Sequence, residues 1–361
     1  MSTLYLNGVI HSVSDPYATA MIVEDGLIAW VGADDSAERM LRATGASDPH
    51  TVDLRGALVT PAFVDSWSTS GAEGTAAAER GVFLTAGPHG SGAQVAYQQV
   101  GSTGVGGLDD GCAGWALNAG SAGGEGPDQG AVLSVEDALQ VLGAATERRI
   151  QTVVVPQDAR AAASLVDGLS ALAGSQGSAA LGRVRHRLVW NGPLSPEQVQ
   201  ALSGLSVSVT LVPDEDGSVT VPVGGLLAAG VPVSWGSGAR AADPWALVRA
   251  VLEHADPDER ISARGGFTVA TRSGLRVLPD GAVDPAVQMA GRLAPSSPAT
   301  FAVWDVDSLS VQAPDGRVSA WSTDTRAGTP LLPVLDAQTA PPTLRATVVG
   351  GTTVHGSPGR G

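Results

Sequence analysis

The chain has 361 residues, 43% of them apolar and only 4% aromatic, with a formal charge of −15. That length allows one large domain beside a smaller one, with a core built mainly from Val, Leu and Ala. All 21 positive side chains are arginine, and this acidic, lysine-free balance argues against nucleic acid and against anionic membrane surfaces as partners. No run approaches the ~18 uninterrupted apolar residues of a membrane span. The start lacks the basic and apolar stretches of a secretory leader, so a cytoplasmic location is expected. A single cysteine, Cys112, excludes an internal disulfide and a Cys-based zinc cluster.

Residues 4–12 alternate apolar and polar. Residues 20–32 do so again around Asp25-Gly26, a hairpin signal. The spacing over 34–44 predicts a short amphipathic helix with Met40 and Leu41 inward. Val52-Asp53-Leu54 then leads into Leu58-Val59-Thr60-Pro61-Ala62-Phe63-Val64-Asp65, which reads as one short strand buried on both faces. Residues 70–130 are rich in Gly, Ala and Ser. Short strands are expected at 82–85, 94–100 and 115–118, and a surface loop over 120–130.

From Ser134 the pattern sharpens. Ser134 caps a helix with Val135, Ala138, Leu139, Leu142 and Ala145 at helical spacing. Residues 150–155 form a β-branched strand. Asp158 is placed to cap a helix carrying Leu165, Val166, Leu169 and Leu172. Strands follow at 186–190, 206–212 and 231–235. Helices are expected from Ser195-Pro196, over 224–229, from Asp243-Pro244 and over 262–272. Strand and amphipathic helix alternate as in a parallel α/β sheet, here the second half of a (β/α)8 TIM-like barrel. The first half must fit into 59–133, which makes an incomplete barrel an open expectation. Residues 299–306 and 344–354 are strand-like. They are expected to return to residues 4–32 and complete a small β-sandwich domain from both chain ends. The expected boundaries are 1–57 and 286–361 for the small domain, and 58–285 for the barrel.

Several stretches together resemble the amidohydrolase superfamily, and its type-three members in particular. They are Leu6-Asn7-Gly8 with the hairpin after it, Leu54-Arg55-Gly56-Ala57 through Asp65, and Arg185-His186-Arg187-Leu188-Val189-Trp190. Gly230-Val231-Pro232-Val233-Ser234-Trp235-Gly236-Ser237-Gly238, Gly291-Arg292-Leu293-Ala294-Pro295 and Val348-Val349-Gly350-Gly351 complete the set. The resemblance implies one or two divalent metals at the barrel mouth, activating water for hydrolysis of carbon–nitrogen bonds other than peptide bonds. The ligand positions, however, are substituted. The His-X-His pair falls on Trp67 and Thr69, and the fifth-strand histidine on Val154 or Val155. The sixth-strand histidine falls on Trp190, and the general-base aspartate on Gly238. Trp, Val and Gly offer no metal-binding group, and Thr a poor one.

The expectation is therefore a non-catalytic pseudo-hydrolase without a cofactor, which binds a small molecule or serves as a partner subunit. Candidate pocket residues are Asp65, Trp67, Thr69, Asp158, His186, Trp190, Trp235 and Gly238. Trp67, Trp190 and Trp235 are expected to converge, either plugging an obsolete cavity or stacking on a flat ligand. Expected partners are a small ligand and a second copy of the chain or an active paralogue. A divergent hydrolase with ligands relocated among Asp65, His89, Asp109, Asp110 and Asp158 is the alternative, and a purely structural role the third. Cys112 with His89 or His186 as base is a further nucleophile candidate. Gly236-Ser237-Gly238-Ala239-Arg240-Ala241 follows a strand but lies too late in the chain for a dinucleotide fingerprint.

Overall fold

The hairpin over 20–32 forms as its turn residues dictate. Ala20–Glu24 and Leu27–Gly32 pair antiparallel. Asp25 at φ 48° and Gly26 at φ 80° turn the chain between them, the pair of positive φ values whose twist matches the flanking strands. The computed structural model describes residues 2–44, 49–71, 74–121, 130–312, 321–322, 329–336 and 338–359. The helix Asp34–Thr44 follows the hairpin. Its apolar face is Ala37 and Leu41, four residues apart, while Met40 is 38% exposed. Met40 thus does not point inward, because adjacent helical residues lie about 100° apart around the axis.

The two chain ends meet mainly by stacking, with one short antiparallel bridge from Leu27 to Pro298, where Ile28 N–H donates to Ser297 O and Ser296 N–H to Ile28 O, each at 2.8 Å. Ser2–Leu6 lies between Ala20–Glu24 and His50–Asp53 in a four-stranded sheet. The returning strand Phe301–Asp305 does not join that sheet. It pairs antiparallel with Leu58–Pro61 and Thr343–Val349 in a second sheet, to which the first thirty residues contribute Val9–Ile10 alone among the described strands. Met21, Val23 and Ile28 of the first sheet pack on Val59, Val303 and Val348 of the second. The Tyr5 and Phe301 rings meet edge to face at 5.3 Å between them. Residues 122–129 of the surface loop expected over 120–130, and half of the stretch 313–342, fall outside the described residues.

The stretch 58–65 is two strands, not one. Leu58–Pro61 belongs to the end sheet and Phe63–Asp65 is the first barrel strand. The change of partner falls just after Pro61, which has no N–H to extend a ladder. Phe63 then donates its N–H to Gly81 O at 2.9 Å.

All eight barrel strands are present, so the barrel is not missing a strand. In order they are Phe63–Asp65, Val82–Pro88, Val95–Gln99, Cys112–Ala119, Thr152–Pro156, Arg187–Val189, Ser208–Leu211 and Val233–Trp235, each parallel to the next. The first and eighth close the ring just beyond their ends. Ser66 N–H donates to Trp235 O at 2.8 Å, Gly238 N–H to Trp67 O at 2.9 Å, and Thr69 N–H to Gly238 O at 2.8 Å.

What the first half lacks is helices. Among the described residues only the short Gly74–Ala78 lies between the first and fourth strands. A parallel crossover ordinarily needs a dozen residues or more. The link after Pro88 is shorter because the third strand starts high, with Val95 opposite Ala86. This leaves the lower half of the second strand paired with the first strand but without a neighbour on its other side. The Gln94 side chain stands in for it, taking Thr85 N–H on Oε1 at 2.7 Å and giving Nε2–H to Phe83 O at 2.9 Å.

The second half follows the expected strand–helix alternation. Ser134, Asp158 and Ser195 cap Val135–Arg148, Ala159–Gln176 and Pro196–Leu205, the last with a full capping box. Pro244–Leu252 and Ala263–Ala270 cover the eighth strand's side. The chain then continues helically over Arg272–Arg276, past the expected end at 272. No described helix is long and apolar enough to cross a membrane.

Candidate functional site at the barrel mouth

In a (β/α)8 barrel the C-terminal strand ends and the loops after them form the mouth. Each strand shows one face to the barrel interior and the other to the helices. Val64, Tyr97, Ala116, Val155 and Val189 form the inner cluster with Trp67. Phe63, Val154, Leu188, Leu211 and Val233 form the outer one.

The three tryptophans do not converge. Trp67 is buried inside the barrel, its ring edge-on to Tyr97 at 6.1 Å. Trp235 is fully buried in the outer, helix-facing cluster, and half-buried Trp190 packs against that same cluster beside Gly192. The alternation of the strand explains the split. With Arg187 and Val189 inward, Leu188 and Trp190 must point outward. The residue nearest the expected sixth-strand ligand position that does face inward is Val189, and on the fifth strand it is Val155.

Asp65 and Gly238 sit at the seam where the barrel closes. The Asp65 carboxylate is completely buried and accepts Ser237 N–H on Oδ1 at 2.9 Å, while Oδ2 has no partner. Burial pushes its pKa up to about 6, opposed by the Ser237 hydrogen bonds and by the Arg80 charge. Gly238 has φ +62°, and a Cβ there would lie 2.7 Å from Val212 Cγ1. An aspartate at this position would be strained in its backbone and would overlap the seventh strand's exit. Gly236 is equally constrained, since a Cβ would stand 2.7 Å from Trp67 O. Thr69 is half-buried and contributes its backbone to the seam.

His186 and Asp158 have structural partners away from the interior. His186 precedes the sixth strand, at the end of the barrel opposite the mouth. Its Nδ1 accepts Thr152 N–H at 3.2 Å, so the ring proton sits on Nε2, 2.9 Å from Thr146 Oγ1, which itself donates to Leu142 O. Burial lowers the imidazole pKa to about 4, which keeps it neutral. Asp158 is exposed and accepts Ala161 N–H at 2.8 Å as a helix cap. Cys112 does meet His89, with Sγ 3.5 Å from Nδ1. Yet burial and the Asp109 charge both raise the thiol pKa, the opposite of what a nucleophilic cysteine needs. His89, Asp109 and Asp110 are exposed.

The most unusual side chain in the interior is Arg187, which was not among the candidates above. It is 1% exposed and lies inside the barrel, where the Tyr97 hydroxyl donates to Gln151 Oε1 at 2.8 Å and Thr210 and Ser234 pair through their hydroxyls at 3.0 Å. Its guanidinium carbon lies 5.1 Å from the Tyr97 ring centroid and 5.9 Å from that of Trp67. One terminal nitrogen, Nη1, donates to Ser66 O at 2.8 Å. Nε and Nη2 have no partner. Burial lowers its pKa, and the Tyr97 hydroxyl is the group that acts the other way. The signal was there to find in Val184-Arg185-His186-Arg187-Leu188-Val189. An arginine two residues before an inward valine must itself face inward.

An eight-stranded parallel barrel joined to a β-sandwich from both chain ends is the fold of the amidohydrolase-type, metal-dependent hydrolases. Among solved structures, the chain is similar to atrazine chlorohydrolase TrzN from Arthrobacter aurescens TC1 in complex with zinc. That match has a TM-score of 0.59 and 14% identity, and covers 99% of this chain and 96% of that one. A triazine hydrolase variant matches at TM-score 0.54 and 15% identity, over 99% and 95% of the two chains. An uncharacterized metal-dependent hydrolase from Pyrococcus furiosus matches at TM-score 0.56 and 14% identity, over 85% and 99%. No family model and no curated protein matches the sequence.

The fold implies a metal, and the residues at this mouth do not fit one. Among the described residues, no three His, Cys, Asp or Glu side chains stand together as a metal ion would need. Trp67 and Val155 occupy the inner face where imidazoles would be required, and Gly238 carries no carboxylate, while a Cβ there would crowd Val212 Cγ1 at 2.7 Å. The relocated set of Asp65, His89, Asp109, Asp110 and Asp158 does not assemble into such a group either.

Proposed function

We propose that this chain is an amidohydrolase-fold protein that has left metal-dependent hydrolysis and acts by binding. It holds a small molecule in the barrel, alone or as the partner subunit of an active relative. The observation that carries this reading is the inner face of the mouth. Trp67 and Val155 are buried there without a metal-binding atom, and Gly238 is confined by φ and by Val212. One lost ligand weakens a metal site, but loss around the whole ring removes the charge that would activate water. Retention of eight strands with a sealed seam supports selection for the scaffold rather than decay of it.

Elemental analysis of the purified full-length chain tests this. The expected result is substoichiometric zinc, iron and manganese, and no chelator-sensitive turnover on a panel of amides, cyclic imides and halogenated triazines. Stoichiometric metal together with turnover that a chelator abolishes would overturn the reading. Co-purification distinguishes its two forms. A metal-bearing relative retained through size exclusion supports the partner-subunit form, and a lone chain supports the ligand-binding form.

A further inference from the structure

Arg187 is a buried cation for which the barrel supplies no anion among the described residues. Tyr97 and Trp67 flank the guanidinium, and Ser66 O holds Nη1. The remaining donors, Nε and Nη2, lie side by side along one edge of the planar group. Both are buried and unpartnered. That edge is the fork that receives two oxygens of a carboxylate in parallel hydrogen bonds. No described carboxylate forms an ion pair with Arg187. Asp65, the other buried charge near the seam, has Arg80 rather than Arg187 as its electrostatic partner. A buried guanidinium with two unpartnered donors is strongly disfavoured unless an opposite charge reaches it. Its position is nonetheless held on three sides, which is the preorganisation expected of a receptor group.

We infer that Arg187 is an anion-binding residue and that the barrel's ligand carries a carboxylate, seated on the Nε–Nη2 edge between Trp67 and Tyr97. This rests on the reading of the barrel as a binding scaffold and adds the ligand's chemical class. The same chemistry can come from two sources: a free small carboxylate, or the carboxylate end of a larger aromatic acid stacked on Trp67.

The test is calorimetric titration of the chelator-treated full-length chain in low-chloride buffer, with formate, acetate, benzoate and inorganic phosphate as probes. Saturable binding of a carboxylate at one site per chain is expected, with a change in tryptophan fluorescence from Trp67. Arg187→Lys keeps the charge but loses the fork, and should bind at least about tenfold more weakly. Arg187→Met should lose roughly 100-fold or more, the equivalent of two charge-assisted hydrogen bonds. Trp67→Phe should abolish the fluorescence change while heat of binding persists. Tighter binding of benzoate than of acetate supports the larger acid, and equal binding the free small anion. If the arginine variants do not fold, the wild-type melting temperature decides. It should rise and saturate with carboxylate at constant ionic strength. Absence of saturable binding by the wild type, phosphate preferred over every carboxylate, or unchanged affinity in a folded Arg187→Met chain would each overturn the inference. Because the chain is metal-free in this experiment, those outcomes leave the elemental result untouched. Metal with turnover would likewise sink the binding reading without moving the Arg187 titration.

Discussion

Replacing His186 with glutamine should change how stability responds to acid more than it changes stability itself. The imidazole is 1% exposed and uses both nitrogens, Nδ1 as acceptor from Thr152 N–H and Nε2 as donor to Thr146 Oγ1. Protonation would set a second N–H against Thr152 N–H in an apolar wall, and burial accordingly lowers the pKa from 6.5 to about 4. The sign follows from linkage. A histidine depressed in the folded state contributes stability that is full above its unfolded pKa. That contribution is lost as pH falls from 6.5 through the folded value near 4. A shift of this size corresponds to about 3 kcal/mol, lost at up to about 1.4 kcal/mol per pH unit. Urea denaturation of wild type and His186→Gln at several pH values between 8 and 5 is the assay. At pH 8 the variant should be less stable by about 1–3 kcal/mol, from lost hydrogen bonds and packing. Below pH 6 the gap should close steadily, because only the wild type is being undermined by proton uptake at this site. A gap that stays constant down to pH 5, or a His186 resonance titrating near its ordinary value, would refute the reasoning. Some acid slope will survive in the variant, since burial also lowers the His11 pKa to about 4.

Asp65 should show the opposite sign. Its folded pKa is raised to about 6, so the stability it contributes is full below 3.8 and falls away as pH rises through 6. Asp65→Asn keeps an acceptor for Ser237 N–H and should be at least as stable as wild type at pH 8 yet less favoured at pH 4, as read by denaturation midpoints. Gly238→Asp should lower stability by about 2–4 kcal/mol, from a left-handed backbone and the clash with Val212. It should also gain no metal by elemental analysis; an unchanged melting temperature with bound zinc would defeat the account of this position. Gln94→Ala should cost about 1–3 kcal/mol and accelerate hydrogen exchange at Thr85, whose N–H loses its acceptor. Unaltered exchange there would mean that the side chain does not stand in for a strand.

Much of the fold could be read locally. The Asp25-Gly26 turn, the caps at Ser134, Asp158 and Ser195, and the strand–helix rhythm after residue 134 depend on residues a few positions apart, and each formed where its chemistry placed it. The compressed first half was harder. Its strands were visible as short apolar runs. The device that lets two parallel strands meet across a short link is the offset of Val95 to Ala86 with Gln94 filling in below, and no periodicity announces it. The pairing of Phe301–Asp305 with Leu58–Pro61 instead of the hairpin was likewise a choice between distant partners of equal apolar character.

By itself, the sequence determined that imidazole and carboxylate are absent from Trp67, Thr69, Val155 and Gly238, since composition at a position needs no folding to be known. Only the tertiary structure decided which way each strand faces. A parallel barrel strand is apolar on both sides, so hydropathy cannot tell interior from exterior, and a register shift of one residue exchanges the two. That is why Trp190 and Trp235 turned out to belong to the helical layer while Trp67 lies inside. It is also why Arg187, one residue from a buried histidine that faces the other way, emerged as the charge at the centre of the barrel.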